Sequence, residues 1–240
     1  MKEINFNYYE ENASEFFEST VTADMVDLYT SFLSMVSPGG RILDLGCGSG
    51  RDSKYFIRQG FQVEAMDGSP ALCRLASEFI GQEVFCAQIE EMDYQQEFDG
   101  IWACASLIHA EKKEMQGVLE KVKQALKKRG VLYASFKQGQ GEGMRGGRFF
   151  NFYDEKELRF LFSRIDGLEL VQIFRTEDVR RDKSGEFWMN VIAKRLGTCI
   201  RDSQAHRISC IALLLWLYLA YGKEENDGVD ERAAKSDRLY

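Results

Sequence analysis

Residues 41–52 read Arg-Ile-Leu-Asp-Leu-Gly-Cys-Gly-Ser-Gly-Arg-Asp. An apolar strand runs here into a Gly-x-Gly-x-Gly turn, and a helix opens directly after it. A sharp strand-to-helix turn needs positive φ, and it lets a ligand lie against main-chain N–H groups when no Cβ intervenes. Gly46, Gly48 and Gly50 therefore mark a nucleotide-type site. The spacing narrows the ligand: a dinucleotide turn is usually Gly-x-Gly-x-x-Gly, whereas here Arg51 and Asp52 follow Gly50 and the next glycine is Gly60. Asp44 sits inside the strand, two residues before Gly46. A carboxylate there repels a pyrophosphate and suits a ligand carrying positive charge.

The remaining composition narrows the class. A chain of 240 residues with a formal charge of −7 fits one sizeable α/β domain with elaborations, and it has no long Lys/Arg run to track a nucleic-acid backbone. The six cysteines (47, 73, 86, 104, 199 and 210) form no C-x-x-C pair and have no ligand spacing with His109 or His206, so no metal site is expected and the thiols read as reduced, in a cytoplasmic protein. The first residues lack the apolar core and cleavage site of a secretory leader.

Downstream of the glycine turn, strand and helix alternate in the way that builds a parallel sheet. Strands are expected at 61–66, 83–87, 98–105, 131–136, 168–176 and 188–193. Helices are expected at 52–59, from Ser69-Pro70 to Gly81, from Met115 through Leu126 to a stop at Gly130, and around 155–162. Residues 137–150 read as a long glycine-rich loop over the site. Before the turn, 12–36 reads as one helix, with Val21, Met25, Leu28, Phe32 and Val36 on one face. The expected fold is a Rossmann-like, doubly wound, mostly parallel sheet of seven strands, with an N-terminal helical cover over about residues 1–40. The main domain ends near 195. Residues 196–240 form an extension with an apolar helix at 208–221 and a disordered tail. That helix would span about 21 Å, short of the roughly 20 residues that cross a bilayer, so it is expected to pack on the domain or to mediate a homodimer rather than to span a membrane.

The chain resembles the class I methyltransferases that use S-adenosylmethionine, and among them the small bacterial tellurite-resistance type. The residues that carry the likeness are Arg-Ile-Leu-Asp-Leu-Gly-Cys-Gly-Ser-Gly-Arg-Asp-Ser (41–53), Phe-Asp-Gly-Ile-Trp-Ala-Cys-Ala-Ser-Leu-Ile-His (98–109) and Gly-Val-Leu-Tyr-Ala-Ser-Phe-Lys (130–137). The resemblance reaches from the N-terminal helix to about Arg195. It implies S-adenosylmethionine as cofactor, held by Asp44, Gly46, Cys47, Gly48 and Gly50, and by Asp67 accepting from both ribose hydroxyls. Gly68 and Ser69 follow Asp67 in that turn. Gln88, Ile89 and Glu90 stand where the family meets the adenine, and Ala105 where the fourth strand ends. A turn-forming Asp67 and a solvated loop of Glu90, Glu91 and Asp93 are the plain alternatives.

On the acceptor side, residues 105–109 lack both the Asn/Asp-Pro-Pro-Tyr/Phe clamp of nucleobase amine methyltransferases and a Pro-Cys nucleophile, which disfavours both chemistries. His109 stands at a strand's carboxyl end with a pKa suited to accepting a proton near neutrality, and reads either as a base or as a polar boundary residue. Arg145 and Arg148 are placed to hold an anionic group on the acceptor. Tyr8 and Tyr9, ahead of the N-terminal helix, match a segment that closes over the cofactor in relatives. The reading that results is methyl transfer to a small-molecule acceptor. The alternatives are an RNA or protein acceptor, or a non-catalytic S-adenosylmethionine-binding protein.

Overall fold

A computed structural model describes residues 2–180 and 183–197. Strands β1 (Arg41–Leu45), β2 (Gln62–Asp67), β3 (Phe85–Cys86), β4 (Phe98–Ala103) and β5 (Leu126–Gln138) lie parallel in the order β3-β2-β1-β4-β5. β9 (Phe187–Arg195) runs antiparallel along β5 and β8 (Leu168–Glu177) antiparallel along β9; among the described residues the sheet has nine strands, the hairpin described below supplying the two beyond the expected seven. Ile42, Leu43 and Leu45 of β1, and Phe98, Ile101 and Trp102 of β4, are fully buried. Such uninterrupted apolar runs are required of strands covered on both faces. One layer places α6 (Met115–Ala125) and α7 (Glu155–Ser163) on the sheet through Met115, Leu119, Val122, Leu158 and Phe162. The opposite layer packs Tyr29, Phe32 and Phe56 against Trp102 and Tyr133.

Helix α5 (Pro70–Ile80) follows its local signals closely. The Ser69 hydroxyl accepts from the N–H of Leu72 at 3.2 Å, Pro70 occupies the first turn, and Gly81 closes the helix at φ +80°. The helix α4 (Arg51–Arg58) opens at Gly50, whose φ is +74°.

Three expectations are corrected. The cover is three short helices, α1 (Lys2–Glu11), α2 (Ala13–Thr20) and α3 (Val26–Leu33), and not one helix over 12–36. Asn12 turns its amide back onto the carbonyl of Tyr8 at 2.8 Å, and Asp24 caps the N–H of Val26 at 3.0 Å, so the chain breaks at both places. Tyr8 and Tyr9 consequently lie within a helix rather than ahead of one. α6 stops at Ala125 rather than at Gly130: Leu126 pairs with Phe98 at the start of β5, and the ladder slips between Phe98 and Gly100, with Arg129 at φ +67°. The glycine-rich loop is a hairpin, β6 (Glu142–Arg145) and β7 (Arg148–Tyr153), joined by Gly146 and Gly147 at φ +55° and +75°. Two consecutive positive φ values are what a two-residue hairpin turn demands, and β7 then docks parallel to the end of β5 through Lys137 and Gln138. The apolar stretch 208–221, the tail and the dimer role assigned to them lie outside the described residues. No described helix is long and apolar enough to cross a membrane.

Candidate functional site

The site opens at the carboxyl ends of β1, β2, β4 and β5, where neighbouring connections leave β1 and β4 on opposite sides of the sheet. The β1 turn is tied down by a shared acceptor: the N–H groups of Gly46 and Cys47 both donate to the carbonyl of Met66, at 2.8 and 2.9 Å. Gly46 has φ +76°, and a Cβ there would come within 2.4 Å of Ser106 Cβ. At Gly48, φ +54°, it would come within 3.0 Å of the Phe16 ring on α2. The turn is thus a cradle that only glycine can line. At the end of β2, Asp67 accepts the N–H of Gly48 on Oδ2 and that of Ser69 on Oδ1, each at 2.9 Å. Burial pushes the Asp67 carboxyl above the usual range, and the N–H groups of Ser69, Gly48 and Gly68 pull against that shift. Each oxygen still has a lone pair to offer to a hydroxyl.

The cavity, about 360 Å³, is lined by most of the residues singled out in the sequence: Gly46, Cys47, Gly48, Asp67, Gly68, Ser69, Gln88, Ile89, Glu90, Ala105, His109, Tyr9, Arg145 and Arg148. Asp44, Gly50 and Tyr8 do not line it. Asp44 is buried behind the turn, where its Oδ2 accepts from the N–H and hydroxyl of Ser53 at 3.0 and 2.6 Å; these two hydrogen bonds anchor the first turn of α4. Gly50 meets Ala76 and Ile80 of α5 instead of the cavity. The ring of Tyr8 lies beneath the Arg148 guanidinium at 4.7 Å. Beside Asp44, Asp52 is held in a buried net, accepting from Tyr29 at 2.5 Å, Trp102 Nε1 at 2.7 Å and Arg51 at 2.6 and 3.0 Å. Burial would raise the Asp52 carboxyl, yet Arg51, Tyr29 and Trp102 hold it below the usual carboxylate range. Burial and the Asp52 charge push Asp44 up.

At the far end, Tyr9 of α1 and His109 after β4 meet at 2.8 Å, and the second ring nitrogen of His109 faces the carbonyl of Phe149 at 2.7 Å. Arg148 donates to the same Tyr9 oxygen at 3.2 Å. Ala105, between β4 and His109, holds φ +54°, an uncommon value for a residue with a Cβ, and its N–H donates to the Ser135 hydroxyl at 2.8 Å. The Ser106 hydroxyl, against Gly46, is buried without a hydrogen-bond partner.

Three contributors went unread in the sequence. Asn5 of α1 pairs through its amide with both the N–H and the carbonyl of Phe149, at 2.7 and 3.1 Å. Glu10 accepts from the N–H of Ala71 at 2.9 Å and from the Ser69 hydroxyl, clamping α1 to the start of α5. Lys137, at the end of β5, is paired with Glu186. None announces itself locally, because each works on a partner far away in the chain. Among the described residues, no group of three or more His, Cys, Asp and Glu is placed to hold a metal ion.

Residues 42–130 match a protein-family profile described as a methyltransferase domain. An uncharacterised methyltransferase of Synechocystis is 28% identical over 98 residues, which cover 40% of this chain and 46% of the relative, so the match spans about half the relative's length. Among solved structures, Burkholderia thailandensis 1,6-didemethyltoxoflavin-N1-methyltransferase, with S-adenosylhomocysteine bound, superposes with a TM-score of 0.63 at 22% identity over 80% of this chain and 86% of that one. A TehB-like S-adenosylmethionine-dependent methyltransferase from Corynebacterium glutamicum gives 0.59 at 20% identity over 79% and 99%. Magnesium protoporphyrin IX methyltransferase from Synechocystis, also with bound S-adenosylhomocysteine, gives 0.62 at 17% over 81% and 100%. At these identities the structural likeness establishes a common fold.

Proposed function

We propose that the chain is a class I S-adenosylmethionine-dependent methyltransferase, as the methyltransferase-domain match over residues 42–130 supports, and that it transfers a methyl group from S-adenosylmethionine to a small-molecule acceptor. The observation that carries the reading is the pairing of the Cβ-free cradle at Gly46 and Gly48 with the Asp67 carboxylate across it. The cradle admits a ligand against bare backbone, and the carboxylate presents acceptors to a ribose. The unpartnered Ser106 hydroxyl supplies one further polar group at the cradle wall.

S-adenosylmethionine, when bound, supplies a methyl group already activated on a sulfonium sulfur. The chain's own residues then have three tasks. Cys47, Gly68, Ser69, Gln88, Ile89, Glu90 and Ala105 enclose the nucleoside end together with the cradle and Asp67. Asp44 and Gly50 act from behind, holding α4 and its packing on α5 so that the turn keeps its shape. Tyr9, carried in on α1 and fixed by His109 and Arg148, closes the acceptor end and excludes water. Orientation in a dry cleft accounts for most of the catalysis required when the donor is already activated. A proton leaving the acceptor passes out to water, because Tyr9 keeps its own hydrogen on His109 and accepts from Arg148; His109 acts through Tyr9 as a positioning residue. An acidic chain without a basic stripe favours a small acceptor over a nucleic acid.

The test is to incubate the protein with methyl-labelled S-adenosylmethionine and the low-molecular-weight fraction of a cell extract. Label in a small product is the expected outcome. Label found only in RNA or protein fractions would sink the small-molecule assignment, and S-adenosylmethionine binding without transfer to any fraction would reduce the chain to a binding protein.

A further inference from the structure

We propose that Arg145 and Arg148, at the tip of the β6–β7 hairpin, form an anion clamp, so that the methyl acceptor is a small acid held through its carboxylate or phosphate group. The inference rests on the methyl-transfer reading given above.

Four of the cations that line the cavity are compensated by carboxylates. Lys2 pairs with Glu90 at 2.9 Å, Arg51 with Asp52 at 2.6 Å, Arg180 with Asp178 at 2.7 Å, and Lys137 with Glu186. Arg145 and Arg148 also line the cavity, yet among the described residues neither forms an ion pair. They stand directly opposite one another across the hairpin, in register, flanking the Gly146-Gly147 turn. Directly opposed like charges on neighbouring strands are unfavourable, and an anion between them removes the repulsion.

Both guanidinium groups are held in place without an ion pair; the Glu186 charge reaches Arg145, but that carboxylate is already paired with Lys137. Arg148 lies 4.7 Å from the Tyr8 ring centre and 5.0 Å from that of Phe150, and donates one N–H to Tyr9. Its Nε is buried with no acceptor. Arg145 stacks 5.2 Å from the Phe152 ring centre. Stacking on rings orients a planar guanidinium while leaving its N–H edge for an oxyanion, and the fork matches carboxylate and phosphate alike. Beside Arg148, Tyr9 and the neutral His109 add no negative charge. Binding here leaves the anionic group itself unmethylated, so a nucleophilic atom elsewhere on the acceptor meets the methyl group and the product keeps its charge.

The other carboxylate within reach of this cavity is the cofactor's own, and the experiment separates the two. Labelled product made from the low-molecular-weight extract is run on anion exchange at neutral pH, with and without alkaline phosphatase. Retention on the column is expected; release by the phosphatase identifies a phosphate and unchanged retention a carboxylate. In parallel, Arg145→Gln/Arg148→Gln is assayed at limiting extract, where the initial rate should fall at least about tenfold and recover as the extract is concentrated. Its affinities for S-adenosylhomocysteine and for 5′-methylthioadenosine, which lacks the amino-acid carboxylate, should both stay within about twofold of the parent. Arg148→Lys, which keeps the charge but not the fork, should show a smaller loss of rate. An uncharged or cationic product overturns the clamp and leaves methyl transfer standing. Weakened S-adenosylhomocysteine binding with unchanged methylthioadenosine binding overturns it too, by assigning the arginines to the cofactor. No labelled product at all removes the methyl-transfer reading on which the clamp rests.

Discussion

Tyr9 donates its phenolic hydrogen to Nε2 of His109 over 2.8 Å, joining residues 100 positions apart. The direction follows from the other ring nitrogen. Nδ1 lies 2.7 Å from the carbonyl oxygen of Phe149, which can only accept, so Nδ1 carries the hydrogen and Nε2 offers the lone pair. Burial, reinforced by the Arg148 charge against the opposing pull of the Phe149 carbonyl, holds the imidazole pKa down to about 4 from an ordinary 6.5. The free base near neutrality that His109 suggested in the sequence is therefore a neutral, fully engaged ring that orients Tyr9.

A measurable pH dependence follows from that depressed value. As pH falls below 6.5 the unfolded chain takes up a proton at His109 while the native ring stays neutral until about 4. The native state keeps its full stability above the unfolded pKa and loses it through this window, by on the order of 3 kcal/mol at the bottom. Urea unfolding of the parent and of His109→Asn, compared across the window, should show the steeper acid loss in the parent. Parallel pH dependences would contradict the buried neutral ring. Above pH 6.5, methyl transfer should show no titration attributable to His109.

Asp67 is expected to govern cofactor affinity. Asp67→Ala removes the acceptors offered to the ribose hydroxyls, and hydrogen bonds to a charged group contribute roughly 1.5–3 kcal/mol. Calorimetry should register a weakening of S-adenosylhomocysteine binding of about tenfold to a hundredfold, and no tight binding of NAD by the parent. Unchanged affinity in the variant would remove Asp67 from the site.

Gly46→Ala should damage the turn for two separable reasons. A Cβ would meet Ser106 Cβ at 2.4 Å, and the backbone would hold an alanine at φ +76°. The second costs roughly 1–2 kcal/mol by itself. Ser106→Gly clears the clash but not the backbone strain, so the double variant should regain part, and only part, of the lost melting temperature and S-adenosylhomocysteine affinity. Full recovery would mean the positive φ costs nothing here.

These two sites were legible because their signals are local. Glycine spacing, an acid at the end of an apolar strand, and Ser69-Pro70 before a helical stripe each state their geometry within a few residues. The hairpin turn was also written locally, in Gly146-Gly147, but it was masked by the surrounding glycines, which suggested a loop. Leu126 kept the helical period of α6 and went instead to β5, since its pairing with Phe98 is decided by the neighbouring strand. The acceptor end was the least legible part. The Tyr9–His109 and Asn5–Phe149 contacts depend on α1 folding over the sheet, and nothing near Asn5 in the sequence distinguishes it from a surface asparagine.

Asp52 should matter for stability more than its place after the glycine turn suggests. One carboxylate satisfies Tyr29 of α3, Trp102 of β4 and Arg51 beside it. Asp52→Ala leaves the Arg51 charge and two buried donors uncompensated, and breaking such a buried pair costs about 3–5 kcal/mol. Because the native carboxyl is held below its ordinary pKa of 3.8, its contribution is present above that value and is lost as pH falls through the native one. Chemical denaturation should therefore show a large deficit for Asp52→Ala at neutral pH that shrinks in strong acid. A deficit under about 1 kcal/mol at neutral pH would mean the net is relaxed or hydrated.

Asn5 is the residue through which the cover is fastened to the hairpin. Its amide gives and accepts one hydrogen bond each with the main chain of Phe149, as a neighbouring strand would, and the same Phe149 carbonyl orients His109. Asn5→Ala leaves the buried N–H of Phe149 without an acceptor, at roughly 1–3 kcal/mol, and frees α1 to lift away with Tyr9 attached. Asn5→Asp should be no better, because a carboxylate accepts from that N–H but cannot donate to the carbonyl. Hydrogen exchange reads the effect at one atom: the Phe149 amide should exchange faster in both variants, by about tenfold to a hundredfold, while the amide of Leu132 in the middle of β5 stays protected. Equal loss at both amides would indicate global destabilisation, and no loss at Phe149 would mean that α1 is held by its other contacts.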